Sequence, residues 1–145
     1  MTPWPPNDPS SLTIWLAVDL PAMRDRRENL IERIEAGRAV IHQPINANLS
    51  QNVVQRTETS DPTFDVVALW GAEIPAMEAE VRRIDLILRQ YNRVVGKLEE
   101  THRKVIQGTY DLGLSMSEIC GSTGISERTY YNYRQHAIEF MARRF

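Results

Sequence analysis

Only one cysteine, Cys120, occurs in the 145 residues. An internal disulfide is therefore excluded, and so is any cysteine-rich zinc site. Long apolar runs are missing as well. The longest, residues 12–20, is broken by Thr13 and Asp19. A membrane span needs about 20 apolar residues, so none is expected. The amino terminus lacks the basic start of a secretory signal, which makes the cytoplasm the default compartment. There is little excess charge of either sign: 17 Lys and Arg stand against 19 Asp and Glu, a formal net charge of −2. Arrangements that carry catalysis are also wanting. His42, His102 and His136 share no metal-ligand spacing, no glycine-rich phosphate loop occurs, and Cys120 has no local base. No enzyme, no metal and no cofactor is expected.

What remains is 42% hydrophobic and 25% charged, the balance of a globular chain. Its length suits one ordinary domain or two small ones. Residues 1–10 carry Pro3, Pro5, Pro6 and Pro9 and read as an irregular arm, with Trp4 packing on a neighbouring surface. From Ser11 to Arg38 a first helical region follows, with Met23, Leu30, Ile31 and Ile34 at helical spacing and charged residues on the other faces. Pro21 is expected to break residues 12–20 from the next helix and to sit in that helix's first turn. Gly37 is a plausible stop. Residues 39–60 hold Pro44 and many polar side chains with no persistent period, so they read as a linker.

Ser60 or Asp61 can cap a central helix with Pro62 in its first turn. Along it Val67, Trp70, Ile74, Met77, Val81, Ile84, Leu88, Tyr91, Val95 and Leu98 alternate spacings of three and four, a heptad-like seam. A kink or break is expected around residues 71–75, at Gly71 and Pro75. The seam suits two partners: a second copy, giving a homodimer, or the Met23–Ile34 face of the same chain.

Residues 99–145 carry the most informative pattern. A helix with Val105, Ile106 and Tyr110 inward is followed by a turn at Asp111, Leu112 and Gly113. Ser115 and Glu118 form a capping box for a second helix, whose buried side carries Met116, Ile119 and Cys120. Gly124 supplies the left-handed residue that ends this helix, Ile125 tucks under the turn, and Ser126 caps a third. On that third helix Tyr130, Tyr133, Ala137 and Phe140 fall inward, leaving Glu127, Arg128, Thr129, Tyr131, Asn132, Gln135 and His136 outward. This is the pattern of a helix-turn-helix, whose last helix enters the major groove of double-stranded DNA by its amino-terminal turns. Arg128 suits guanine, and Asn132 or Gln135 suits adenine. Thr129 and Tyr131 suit phosphate or a thymine methyl, Ser126 and the amides of the helix start suit a phosphate oxygen, and Arg134 suits the backbone farther along. The eight candidate DNA-binding residues are thus Ser126, Glu127, Arg128, Thr129, Tyr131, Asn132, Arg134 and Gln135. From residue 97 onward seven cations meet six anions, so any basic face must come from arrangement.

The run Ser115-Met116-Ser117-Glu118-Ile119 and the run from Gly124 through Tyr131 resemble a sigma-70 region 4-like helix-turn-helix. More closely, they resemble the RinA/ArpU-type transcriptional regulators of bacteriophages and prophages. Asp19-Leu20-Pro21, Ser60-Asp61-Pro62-Thr63 and the intervening asparagines Asn46, Asn48 and Asn52 agree with that family in order. The resemblance implies a phage or prophage activator of late, packaging or integration genes. Such a protein works at the nucleoid of a bacterial host, with host RNA polymerase as partner.

The expected architecture is all-α: an N-terminal arm and helical region (1–38), a linker (39–60), a long central helix (61–98) and a C-terminal helix-turn-helix (99–145). Two other functions fit the same layout. A small terminase-like packaging subunit also joins a helix-turn-helix to an oligomerising helix, and a sigma-like adaptor binds polymerase without reading DNA by itself.

Overall fold

Helix formation begins at Asp8, whose carboxylate accepts the Ser11 amide at 2.9 Å. Pro9 then opens α1 (Pro9–Ile14), a position where its missing N–H is no loss. The computed structural model describes residues 4–41 and 62–145, and for 62–67 the backbone alone. Among these residues every regular element is helical, so the fold is all-α.

The expected break before Pro21 does not occur. α1 continues through a π-helical turn, Trp15–Asp19, directly into α2 (Leu20–Ile41), so Pro21 does lie in the first turn of α2 but inside an unbroken helix. In regular α-helix the Pro21 ring would crowd the carbonyl four residues back. The wider turn, in which the Leu20 amide reaches Trp15 O, absorbs that conflict just upstream.

Gly37 is not a stop either. α2 runs on to Ile41, taking Ala39, Val40 and Ile41 from the expected linker. Gly37 is buried beneath the Trp70 indole, and a Cβ there would stand 2.6 Å from ring carbon Cε3. The glycine serves close packing, not termination. The remainder of the linker, with Asn46, Asn48, Asn52 and His42, lies outside the described residues, as do the expected caps Ser60 and Asp61.

α3 (Pro62–Gly96) runs through Gly71 and Pro75 without a break. Of its seam, Ile74, Met77, Ile84, Tyr91 and Val95 are buried, followed by Leu98 just past its end. Trp70, Val81 and Leu88 are half-buried. Ile87 and Val94, outside the seam, are buried too, which widens the stripe to that of a globular core helix. The Val67 side chain lies outside the described residues; the rest of the seam is buried or half-buried within a single chain.

The chain divides into two compact units, Arg26–Arg82 and the pair Met1–Asp25 with Arg83–Phe145. In the first unit Leu30 and Ile34 of α2 and Ile74 and Met77 of α3 are buried. The rims of the two helices match in charge. Arg26 is bidentate to Glu80 at 2.9 and 3.1 Å, Arg33 lies 3.7 Å from Glu73, and Arg38 pairs with Glu78. The hydrogen bond from Arg26 holds the Glu80 carboxyl below its ordinary pKa. Pairs this exposed contribute about 0–1 kcal/mol each, so they select register more than they add stability.

In the second unit the start of the chain joins its end. Trp15 is buried with its ring 6.0 Å from Tyr91 and 6.4 Å from Phe145. Around it Leu12, Leu16, Leu20, Ile84 and Ile87 are fully buried. α4 (Glu100–Ile106) continues as a second π-helical turn, Gln107–Asp111. Asp111 accepts from Arg24 Nη2 at 2.9 Å and from the Tyr91 hydroxyl at 3.1 Å, while the Arg24 guanidinium lies 5.7 Å from the Tyr91 ring centroid. Burial first, then the Asp111 charge, pushes the Tyr91 phenol far above its ordinary pKa. This cluster fastens the first helical region and α3 to the turn that leads into the carboxy-terminal helices.

Candidate nucleic-acid interface

The local signals from Ser115 onward act where they were expected. Ser115 Oγ accepts the Glu118 amide at 3.2 Å and opens α5 (Met116–Thr123). Among the described residues the Glu118 carboxylate makes no bond back, so one half of the capping box is formed. Gly124 ends α5 at φ 72°, the left-handed region, with its amide on Cys120 O. Ser126 Oγ accepts the Thr129 amide at 3.2 Å and opens α6 (Glu127–Ala142). Each serine cap stabilises its helix by about 1 kcal/mol.

Three side chains hold the motif together: Val105 of α4, Ile119 of α5 and Tyr130 of α6. Met116, Cys120, Ile125 and Tyr133 pack around them half-buried, so Cys120 serves as a small apolar residue. The Tyr130 hydroxyl shares a hydrogen bond with Thr109 at 2.8 Å. Farther along α6 the inward positions shift from expectation. Ala137 is buried, but Phe140 and Tyr133 are only half-buried, and Ile138, Met141 and Ala142 complete the buried face. The reason is tertiary: α1 packs along this half of α6, and a shallow groove between them is lined by Pro9, Ser10, Thr13, Gln135, Ile138 and Glu139, among others. The sequence signal for this face is the apolar pair Ile138 and Met141, one helical turn apart.

The outward face is as expected except at Thr129, which is half-buried. Ser126, Glu127, Arg128, Tyr131, Asn132 and Gln135 are exposed, and so is His136. Arg128, Asn132 and Gln135 fall on one stripe, with Tyr131 beside it at 47% exposure. Glu127, Arg128, Tyr131 and Asn132 line a shallow hollow on this face. Among the described residues the side chains of Arg128 and Asn132 have no hydrogen-bond or ion-pair partner. Gln135 and Thr129 are engaged: Gln135 Nε2 donates to Glu139 at 3.3 Å, and Thr129 accepts from the Ser126 hydroxyl at 2.9 Å. Neither bond is strong enough to withhold its side chain from a better partner.

No family model, curated protein or solved structure matches this chain.

The cations behave less uniformly than expected. Arg134 is half-buried, with its guanidinium over two rings, 5.8 Å from the Tyr130 centroid and 5.3 Å from that of Tyr131. Arg144 lies 3.4 Å from the Phe140 centroid and donates to Phe140 O. Lys104 pairs with Glu100 across one turn of α4. Among the described residues, Arg128 and Arg143 are the exposed arginines on α6 or at its end that make no hydrogen bond, ion pair or ring contact, which fits the near balance of charge in this region.

Proposed function

We propose that this chain binds double-stranded DNA in a sequence-dependent way through α6, and acts as a transcriptional regulator. The observation that carries the reading is the free stripe at the start of α6. Arg128 and Asn132 stand exposed and unengaged, with Tyr131 beside them and Gln135 one turn on. Below them Val105, Ile119 and Tyr130 fix the helix from behind. A groove-reading helix needs that combination: a rigid inner face, and planar donor–acceptor groups projecting from its first turns. The amides of Glu127 and Arg128, ahead of the Ser126 cap bond, supply donors for a phosphate oxygen. In this reading phosphate contacts set the register while Arg128, Asn132 and Gln135 discriminate bases. The resemblance of residues 115–131 to RinA/ArpU-type regulators supports a phage or prophage activator as the biological setting.

The test is retention of pooled genomic fragments from the source genome by the full chain over a range of salt, with solution mass recorded in parallel. Selective recovery of one intergenic fragment by a small species supports the regulator. Recovery beside packaging genes by a large ring replaces it with a terminase-like subunit. No retention at low salt removes DNA binding altogether.

A further inference from the structure

Arg134 lies three residues after Tyr131 and four after Tyr130, the two spacings that bring side chains together on a helix. Its guanidinium sits over both rings, and the rings themselves meet edge to face with centroids 5.3 Å apart. The two tyrosines differ sharply in burial. Tyr130 is 3% exposed, wedged into the core and tied by its hydroxyl to Thr109. Tyr131 is 47% exposed and borders both the hollow of Arg128 and Asn132 and the groove of Gln135 and Ile138. Arg134 therefore bridges a fixed ring to an outward one.

The surroundings of Arg134 do not suit a phosphate. Glu139 lines the same groove, and its carboxylate would repel one. A planar, weakly hydrated guanidinium gains more from stacking in such a place than an ammonium would.

Resting on the DNA-binding reading above, we propose that Arg134 is a positioning residue: it holds the Tyr131 ring against the major groove, where the ring face packs on a thymine methyl, and it makes no phosphate contact of its own. Tyr131 is then a specificity-determining residue. Its ring supplies apolar contact for the methyl, the one apolar group that a base pair presents in that groove. Fixing it beforehand keeps the entropy of ordering an exposed tyrosine out of the binding step.

The experiment uses the DNA fragment recovered by the wild-type chain, with each thymine of the site replaced in turn by deoxyuridine, which lacks only the methyl. Wild type should lose about fourfold in affinity at one position, the worth of one buried methyl group. That loss should vanish in Tyr131→Ala and shrink to within about twofold of none in Arg134→Gln, with no further change in the double variant. The dependence of affinity on salt should be the same for Arg134→Gln as for wild type, whereas a lost phosphate contact would lower the slope by about 0.9. Arg134→Lys keeps the charge but not the flat stack, so the deoxyuridine effect should stay diminished. A lowered salt slope in Arg134→Gln together with full recovery in Arg134→Lys makes Arg134 a phosphate contact and overturns the proposal. So does a wild type indifferent to every deoxyuridine. If wild type retains no DNA at all, the DNA-binding reading fails first and takes this one with it; binding by wild type with either contrary result removes the positioning role alone. Thermal melts of each variant confirm that a lost effect comes from a folded protein.

Discussion

Replacing Asp111 by alanine tests the cluster that ties the helix-turn-helix to the rest of its unit. The Tyr91 side chain is fully buried and its hydroxyl donates to Asp111 at 3.1 Å. Removing the acceptor leaves that hydroxyl unsatisfied, at a cost of about 1–3 kcal/mol. The Arg24–Asp111 pair, with side chains 35% and 21% exposed, adds about 0–1 kcal/mol after screening. One term opposes these. Asp111 ends the helical run that starts at Glu100, where a negative charge is disfavoured by about 0.3–1 kcal/mol, and that penalty is relieved. The net expectation is a loss of about 2 kcal/mol. Tyr91→Phe removes the donor along with its need for a partner and should cost about 0.5–1.5 kcal/mol, because Asp111 retains Arg24. In the double variant no orphaned hydroxyl remains, so the two losses should fall short of additive by about 1 kcal/mol. Urea unfolding of the full chain, followed by circular dichroism, measures all three. An Asp111→Ala protein within about 0.5 kcal/mol of wild type, or strict additivity, would refute the argument that the buried hydroxyl depends on this carboxylate.

Gly124→Ala should cost about 1–2 kcal/mol, since φ 72° places a Cβ against the following carbonyl, and Gly124→Asn should cost less; equal melting temperatures for Ala and wild type would contradict the left-handed cap. Gly37→Ala should destabilise the protein even though alanine is favoured over glycine in a helix by about 1 kcal/mol, because the new methyl must displace Trp70. A raised melting temperature would show that the contact is not close. Arg128→Ala should lose about 1–3 kcal/mol of discrimination at one base pair in a binding-site selection, while a uniform loss on all sequences would make it a phosphate contact. Alkali should unfold the protein through Tyr91. Its folded pKa is raised, so its contribution is complete below the ordinary tyrosine value near pH 10 and declines above it. Tyr91→Phe should flatten that decline, and a stability-against-pH curve unchanged by the substitution would exclude Tyr91 as its source.

Much of the helix-turn-helix was legible along the chain because its signals act within a few residues. Ser115, Gly124 and Ser126 each work through a backbone group at most four positions away, so no partner element is needed to interpret them. The outward stripe of Arg128, Asn132 and Gln135 follows from the 3.6-residue period once the cap sets its phase. The alternation of three and four along α3 likewise announced a buried stripe, although not what would cover it.

Other assignments depended on what stood opposite. Gly37 reads locally as a terminator, yet it lies inside α2 because Trp70 occupies the space its side chain would need. Pro21 reads locally as a break, yet a π turn absorbs it while Trp15 and Leu20 stay in the core. The acids of α3, which look repulsive in a pair of identical helices, become complementary once Arg26, Arg33 and Arg38 lie across from Glu80, Glu73 and Glu78. Ile138 and Met141 are inward because α1 covers that half of α6, and Arg134 is stacked, not free, because Tyr130 is anchored below it.

Sequence by itself thus determined the all-α class, the caps and phase of the last two helices, and the side chains that α6 turns outward. Those are consequences of hydrogen bonding and periodicity over one or two turns. Tertiary structure alone decided that residues 4–25 join 83–145 around Trp15, that the described part of the α3 seam is covered inside one chain, and that Tyr91, Asp111 and Arg24 meet. Contacts between residues dozens of positions apart are set by shape and charge on two surfaces at once, and no local rule contains both.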